Sequence, residues 1–203
     1  QARKVLLDTK ANKRHSYQYD IVNIGRQVLG NYFAVVRDQF TKSYQEKNIQ
    51  QLKITGKLLL QILDDMNKLV STHSSFLLGK WLEDAKKFAT DTEERNYYER
   101  NARTILTTWG AKGQSLNDYA NRSWGGLISG YYKKRWEMFI NDVTMAVEEG
   151  KNFDEKAFNE KITSFEWNWT MQHEVYSTEP LGNSIEIAKA LFKKYELGIQ
   201  LNR

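Results

Sequence analysis

The stretch IQQLKITGKLLLQILDDMNKLV, residues 49–70, sets Ile49, Leu52, Gly56, Leu59, Leu60, Leu63, Met66 and Val70 mostly three or four residues apart. That is the 3.6-residue period of an amphipathic helix, and the period of two that marks a strand is missing. The same rhythm continues on both sides. Upstream, Ile21, Gly25, Val28, Leu29, Tyr32, Val36 and Phe40 mark a long first helix. Downstream, Ser74 is placed to cap a third helix, with Leu78, Trp81, Leu82, Ala85 and Phe88 as its buried face. Thr90 and Glu93 read as a capping box that opens a fourth helix running toward Leu106.

WGAKGQ then interrupts the pattern with two glycines. A fifth helix is expected from near Leu116 to about Glu149, with Tyr132, Trp136, Phe139, Ile140, Val143 and Val147 as its later stripe. Gly125, Gly126 and Gly130 fall inside it. Interior glycine costs a helix up to about 1 kcal/mol against alanine. Three of them call for close helix packing, a kink or a close approach to another surface. Asp154 is placed to cap a sixth helix, with Phe153 and Phe158 as a hydrophobic staple and Phe158, Ile162, Phe165, Trp169 and Tyr176 along one face. Pro180 and Gly182 break the chain, and Ser184 is placed to cap a last helix carrying Ile185, Ala188, Phe192 and Tyr195. No run shows the alternation of a strand. The expected fold is all-α, a single bundle of about seven antiparallel helices.

Bulk composition narrows the function. The 203 residues suit one sizeable core, and with one proline and no low-complexity tract they read as one domain over 1–203. The net charge of +5 comes from 30 basic and 25 acidic residues mixed along the chain, with no basic run longer than two. Nucleic-acid binders concentrate positive charge on one face, so no nucleic-acid partner is expected. Cysteine is absent, which removes disulfides and thiolate metal sites. His15, His73 and His173 share no metal-ligand spacing, so no metal or other cofactor is expected. No apolar run reaches the roughly 18 residues of a membrane span. QARKVLLDTKANKR has no apolar core for a signal peptide, and a chain that begins at Gln1 suits a piece of a longer protein.

Catalytic constellations are equally sparse. The neighbouring acids Asp64-Asp65, Glu93-Glu94 and Glu148-Glu149 point about 100° apart on a helix and read as solvated faces. There is no GxSxG elbow, phosphate loop or GxGxxG. What remains is the segment from Trp109 to Trp136, which mixes large rings with hydrogen-bonding side chains. Asp118, Arg122 and Arg135 are placed to form ion pairs that lock the helix. Trp109, at the break between two helices, and Tyr119, one turn into the next, are placed to share a surface. Such a surface either stacks on a flat ligand such as a sugar or packs on another domain.

At these residues the chain resembles the C-terminal all-helical domain of α-N-acetylglucosaminidase, glycoside hydrolase family 89. The matching pieces are YQYDIVNIGRQVL (17–29), SSFLLGKWLEDA (74–85), the pair Trp109-Gly110, LNDYANRSWGGLISGYYKKRWEMF (116–139) and IEIAKALFKKY (185–195). The resemblance covers nearly the whole chain. Residues 1–18 resemble the run leading in from a preceding barrel. It implies a fragment of an exo-glycosidase that removes terminal α-linked N-acetylglucosamine with retention. The two catalytic glutamates would lie in a (β/α)8 barrel of the same polypeptide, so that this chain alone is inactive. By the same likeness the domain packs on that barrel and helps wall the sugar pocket. Trp109, Leu116 and Tyr119 are then the pocket-wall candidates, and Asp118, Asn121, Arg122 and Arg135 support the helix. At Trp124 the family's vertebrate members have a less aromatic residue, so no function is carried onto it. The parent would be exported, to a bacterial periplasm or cell surface in preference to a lysosome. The surplus of aromatic residues implies a partner domain, so the isolated chain is expected to expose an apolar patch containing part of the 109–136 segment.

Overall fold

The computed structural model describes residues 14–113 and 117–200. Leu116 and the first thirteen residues therefore lie outside the described part. Seven α-helices run in order among the described residues: α1 (His15–Gln45), α2 (Ile49–Val70), α3 (Leu78–Lys86), α4 (Thr92–Leu106), α5 (Lys133–Glu148), α6 (Glu155–Thr170) and α7 (Ser184–Gln200). Those residues form no β-strand, and an isolated bridge joins Leu77 to Gly125. The all-α bundle expected from the periodicity is the observed fold.

α1 and α2 form a hairpin turned by Lys47, whose φ is +53°, and Asn48 caps α2 by accepting from the Gln51 N–H at 3.0 Å. Their facing stripes build the larger core, which α5 and α7 complete. Val22, Val36, Leu52, Leu59 and Ile62 are wholly buried there. A second cluster gathers Leu78, Leu82, Ala102, Leu106, Leu127, Tyr131 and Trp169 from α3, α4, α6 and the turn that leads into α5. Trp124 and Tyr132 pack against both clusters and join them.

Several boundaries differ from the expected ones. Ser74 lies in a short 3₁₀ turn, Ser74–Phe76, and α3 starts only at Leu78, because Leu77 first pairs with Gly125. Trp81 and Phe88 are exposed, Phe88 at 77%: the stripe continues past the width that the core covers. The capping box of α4 sits one residue later than Thr90 and Glu93. Asp91 accepts from the Glu94 N–H at 2.9 Å, and the Glu94 carboxylate reaches back to the Thr90 N–H at 2.8 Å. In the same way Asn183, not Ser184, takes the first free N–H groups of α7, from Ile185 at 3.0 Å and Glu186 at 3.2 Å. Asp154 does cap α6, and Phe153 meets Phe158 at 5.4 Å between ring centroids.

The largest difference concerns the fifth helix. It does not begin near Leu116. Residues 117–126 are turns and irregular backbone, and the helix opens at Leu127 with a π-turn, Ile128–Tyr132, that runs into α5. Gly126 has φ +87°, and a Cβ there would lie 2.7 Å from the Tyr176 ring. A Cβ on Gly130 would lie 2.3 Å from the Tyr176 hydroxyl. The two glycines make the seat of that side chain, and the π-turn widens the backbone beside it.

Candidate functional site

The site grows from the C-terminal end of α4. Thr107 and Trp109 both turn their N–H groups back onto the Thr104 carbonyl, at 3.1 and 2.8 Å. Trp109 takes φ +61°, a left-handed conformation that costs an L-residue other than glycine roughly 1–2 kcal/mol. The loop then returns to the same place. The Asp118 N–H donates to the Thr107 carbonyl at 2.7 Å, and the Asn121 N–H donates to the Asp118 carbonyl at 2.9 Å. Asp118 and Asn121 are left-handed too, at φ +60° and +44°. Three of the four positive-φ non-glycine residues among those described fall in this one loop. Local strain of that density is typical of sites held for a purpose other than stability.

The loop brings Trp109 and Tyr119 together, ring centroids 4.8 Å apart and planes tilted by 52°. Both face outward, Trp109 at 40% exposure and Tyr119 at 69%. Beneath them lies a charged cluster. Arg135, on α5, pairs through Nη1 with Asp118 and through Nε with Glu166 Oε1 at 2.9 Å. Asn117 Nδ2 donates to the other Glu166 oxygen. The Arg135 guanidinium also lies 5.2 Å over the Tyr131 ring. Glu166, on α6, is 2% exposed. Burial pushes its carboxyl above the ordinary range, and Arg135 pulls only part of that back. Burial likewise raises the Tyr131 and Tyr132 hydroxyls. Beside the loop Asp118, Asn121, Arg135, Trp136, Phe158 and Asn159 line an open groove.

The seven residues singled out in the sequence thus separate. Trp109 and Tyr119 are side by side, and Asp118 and Arg135 are ion-paired below them. Asn121 is exposed on the lip of the groove. Arg122 lies apart, exposed, with its guanidinium 6.0 Å over the Trp124 ring. Leu116 is outside the described residues. Glu166 and Asn117 were not foreseen. The signal for Glu166 was available: it is four residues from Ile162 and three from Trp169, which places a carboxylate on the apolar stripe of α6. No group of three or more His, Cys, Asp or Glu among the described residues is placed to hold a metal ion. No described helix is long and apolar enough to cross a membrane.

The family model for the α-N-acetylglucosaminidase C-terminal domain matches residues 1–194. The chain belongs to that family. Human α-N-acetylglucosaminidase is 30% identical over 181 residues, which cover 89% of this chain and 24% of the human protein. A family 89 glycoside hydrolase from Clostridium perfringens, solved with 2-acetamido-1,2-dideoxynojirimycin, superposes with a TM-score of 0.81 at 28% identity, over 96% of this chain and 23% of that one. A doubly Glu-to-Gln substituted form of the clostridial protein, solved with its substrate GlcNAc-α-1,4-galactose, gives 0.79 at 28% identity over 90% and 22% of the two chains. The chain therefore spans about a quarter of the length of these relatives.

Proposed function

We propose that this chain is the C-terminal helical domain of an exo-acting, retaining α-N-acetylglucosaminidase. It packs on a catalytic barrel of the same polypeptide, which supplies both catalytic glutamates, and helps wall the pocket for a terminal α-linked N-acetylglucosamine. The observation that carries this reading is the Trp109–Tyr119 pair: two neighbouring, outward-facing rings on a loop of left-handed residues in a family of sugar hydrolases. Neighbouring exposed rings with apolar faces and a polar rim suit a pyranose, whose C–H groups lie on one side and hydroxyls around the edge. Leu116 joins them through the resemblance alone. The exposed Trp81 on α3, Phe88 just beyond it and Ile105 on α4 support an interdomain contact. Export of the parent to a periplasm or cell surface belongs to the same reading.

The test is made in the full-length polypeptide that carries this domain, with an aryl α-N-acetylglucosaminide as substrate. Tyr119→Ala and Trp109→Ala are expected to raise KM about tenfold, which corresponds to roughly 1.4 kcal/mol of lost sugar contact, with a smaller effect on kcat. Wild-type KM in both variants would remove the two rings from the pocket wall.

A further inference from the structure

We propose that Glu166 and Asn117 are positioning residues: together with Arg135 they anchor the side chains of residues 117 and 118 and so hold the Trp109–Tyr119 ring pair in the orientation that meets the sugar. The proposal rests on the pocket-wall reading above and extends it to groups that lie below the rings.

The geometry is specific. One oxygen of Glu166 holds a loop residue directly, and the other reaches the next loop residue through Arg135. Oε2 accepts from Asn117 directly, and Oε1 holds Arg135 Nε at 2.9 Å while Arg135 Nη1 holds Asp118. The next residue is Tyr119. Asp118 is also tied through its N–H to the Thr107 carbonyl, two residues before Trp109, so the anchored Asp118 links the stretches that carry the two rings. Trp109, Asp118 and Asn121 are left-handed, and that conformation persists only where the surroundings over-determine it. Stability alone is a poor account of the cluster. One guanidinium at the edge of the groove serves two carboxylates, and for the buried one, Glu166, well-packed apolar side chains would stabilise as well or better. What the charged arrangement supplies is direction, because a guanidinium fork and an amide can each be satisfied in only a few orientations.

The decisive experiment exchanges carboxylate and amide across one hydrogen bond. Glu166→Gln and Asn117→Asp are made singly and together, the double variant keeping the charge count and the donor–acceptor pair while reversing its direction. Two readouts are taken. The first is trypsin cleavage after Lys112 in this chain, with circular dichroism to confirm helix content. Each single variant is expected to be cut about tenfold faster, and the double variant at nearly the wild-type rate. The second is steady-state kinetics of the full-length polypeptide on the aryl glycoside. Each single variant is expected to raise KM about tenfold, as displaced binding groups do, with recovery in the double. A merely structural role lowers the thermal midpoint but leaves KM of the folded protein and cleavage after Lys112 unchanged, and that result overturns the proposal. So does a double variant no better than either single one. Tyr119→Ala with wild-type KM overturns the pocket-wall reading and the sugar-facing role with it, while the cleavage rates still report whether the clamp holds the loop.

Discussion

Glu99 and Glu166 are both buried beside an arginine, yet their surroundings push them in opposite directions. For Glu99, burial raises the carboxyl, but hydrogen bonds from His173 at 3.0 Å and Arg103 at 2.8 Å outweigh it, and the net direction is down. For Glu166, burial outweighs Arg135 and the net direction is up. The consequences for folding have opposite signs. A depressed carboxyl stabilises the fold above its unfolded pKa, and that contribution is lost as pH falls through the folded value. A raised carboxyl holds its proton more tightly in the fold, so stability is lost as pH rises from 4.5 through the folded value. Thermal midpoints followed by circular dichroism between pH 3 and 8 check this, the span being chosen around ordinary carboxylate values. Glu166→Gln is expected to gain on the wild type as pH rises. Glu99→Gln is expected to lose on it, with its deficit shrinking in acid. Parallel midpoint curves would contradict both assignments.

At the scale of elements, the legible parts were those where one period runs without interruption. α2 shows its stripe from Ile49 to Val70, and the core uses it almost residue for residue. Two helix starts, at Asp91 and Asn183, lie one residue from the expected caps, because neighbouring Thr, Ser, Asp and Asn compete for the cap, and the backbone angle that chooses between them is not written in the sequence. The fifth helix was read about ten residues too long at its start, since Asp118 and Asn121 are tolerated by a helix and preferred by a left-handed turn. Trp109 and Tyr119 were legible as candidates, but Glu166 needed the tertiary contact to give it meaning. Gly79 is a further position where packing overrides propensity. Alanine is the better helix former by up to about 1 kcal/mol. Yet a Cβ at Gly79 would lie 2.3 Å from both the Tyr176 and Ser177 carbonyl oxygens, which are backbone and cannot rotate away. Gly79→Ala is expected to destabilise the protein by about 1–3 kcal/mol in urea unfolding, the usual cost of overpacking. A variant more stable than the wild type would show that the 171–183 segment yields freely.

The whole molecule divides its apolar surface unevenly. The α1–α2–α5–α7 bundle buries the larger cluster, and beside the smaller one Trp81, Phe88 and Ile105 line an uncovered groove with Tyr98. Trp109, 40% exposed, follows closely after Ile105 at the end of α4. On the proposed reading the rest of the polypeptide meets this side of the domain. Without it, the isolated chain has an apolar face opposed only by its net charge of +5. Self-association is therefore expected to rise with protein concentration in sedimentation velocity, and to strengthen when salt is added. Added salt screens the repulsion between like-charged copies within a Debye length of about 10 Å at 0.1 M and leaves the apolar attraction in place. Phe88→Ser combined with Ile105→Ser is expected to return the chain to a monomer. Association that weakens with salt would point to pairing of opposite charges instead, and a chain that stays monomeric in every condition would show that this flank is too small to need a partner.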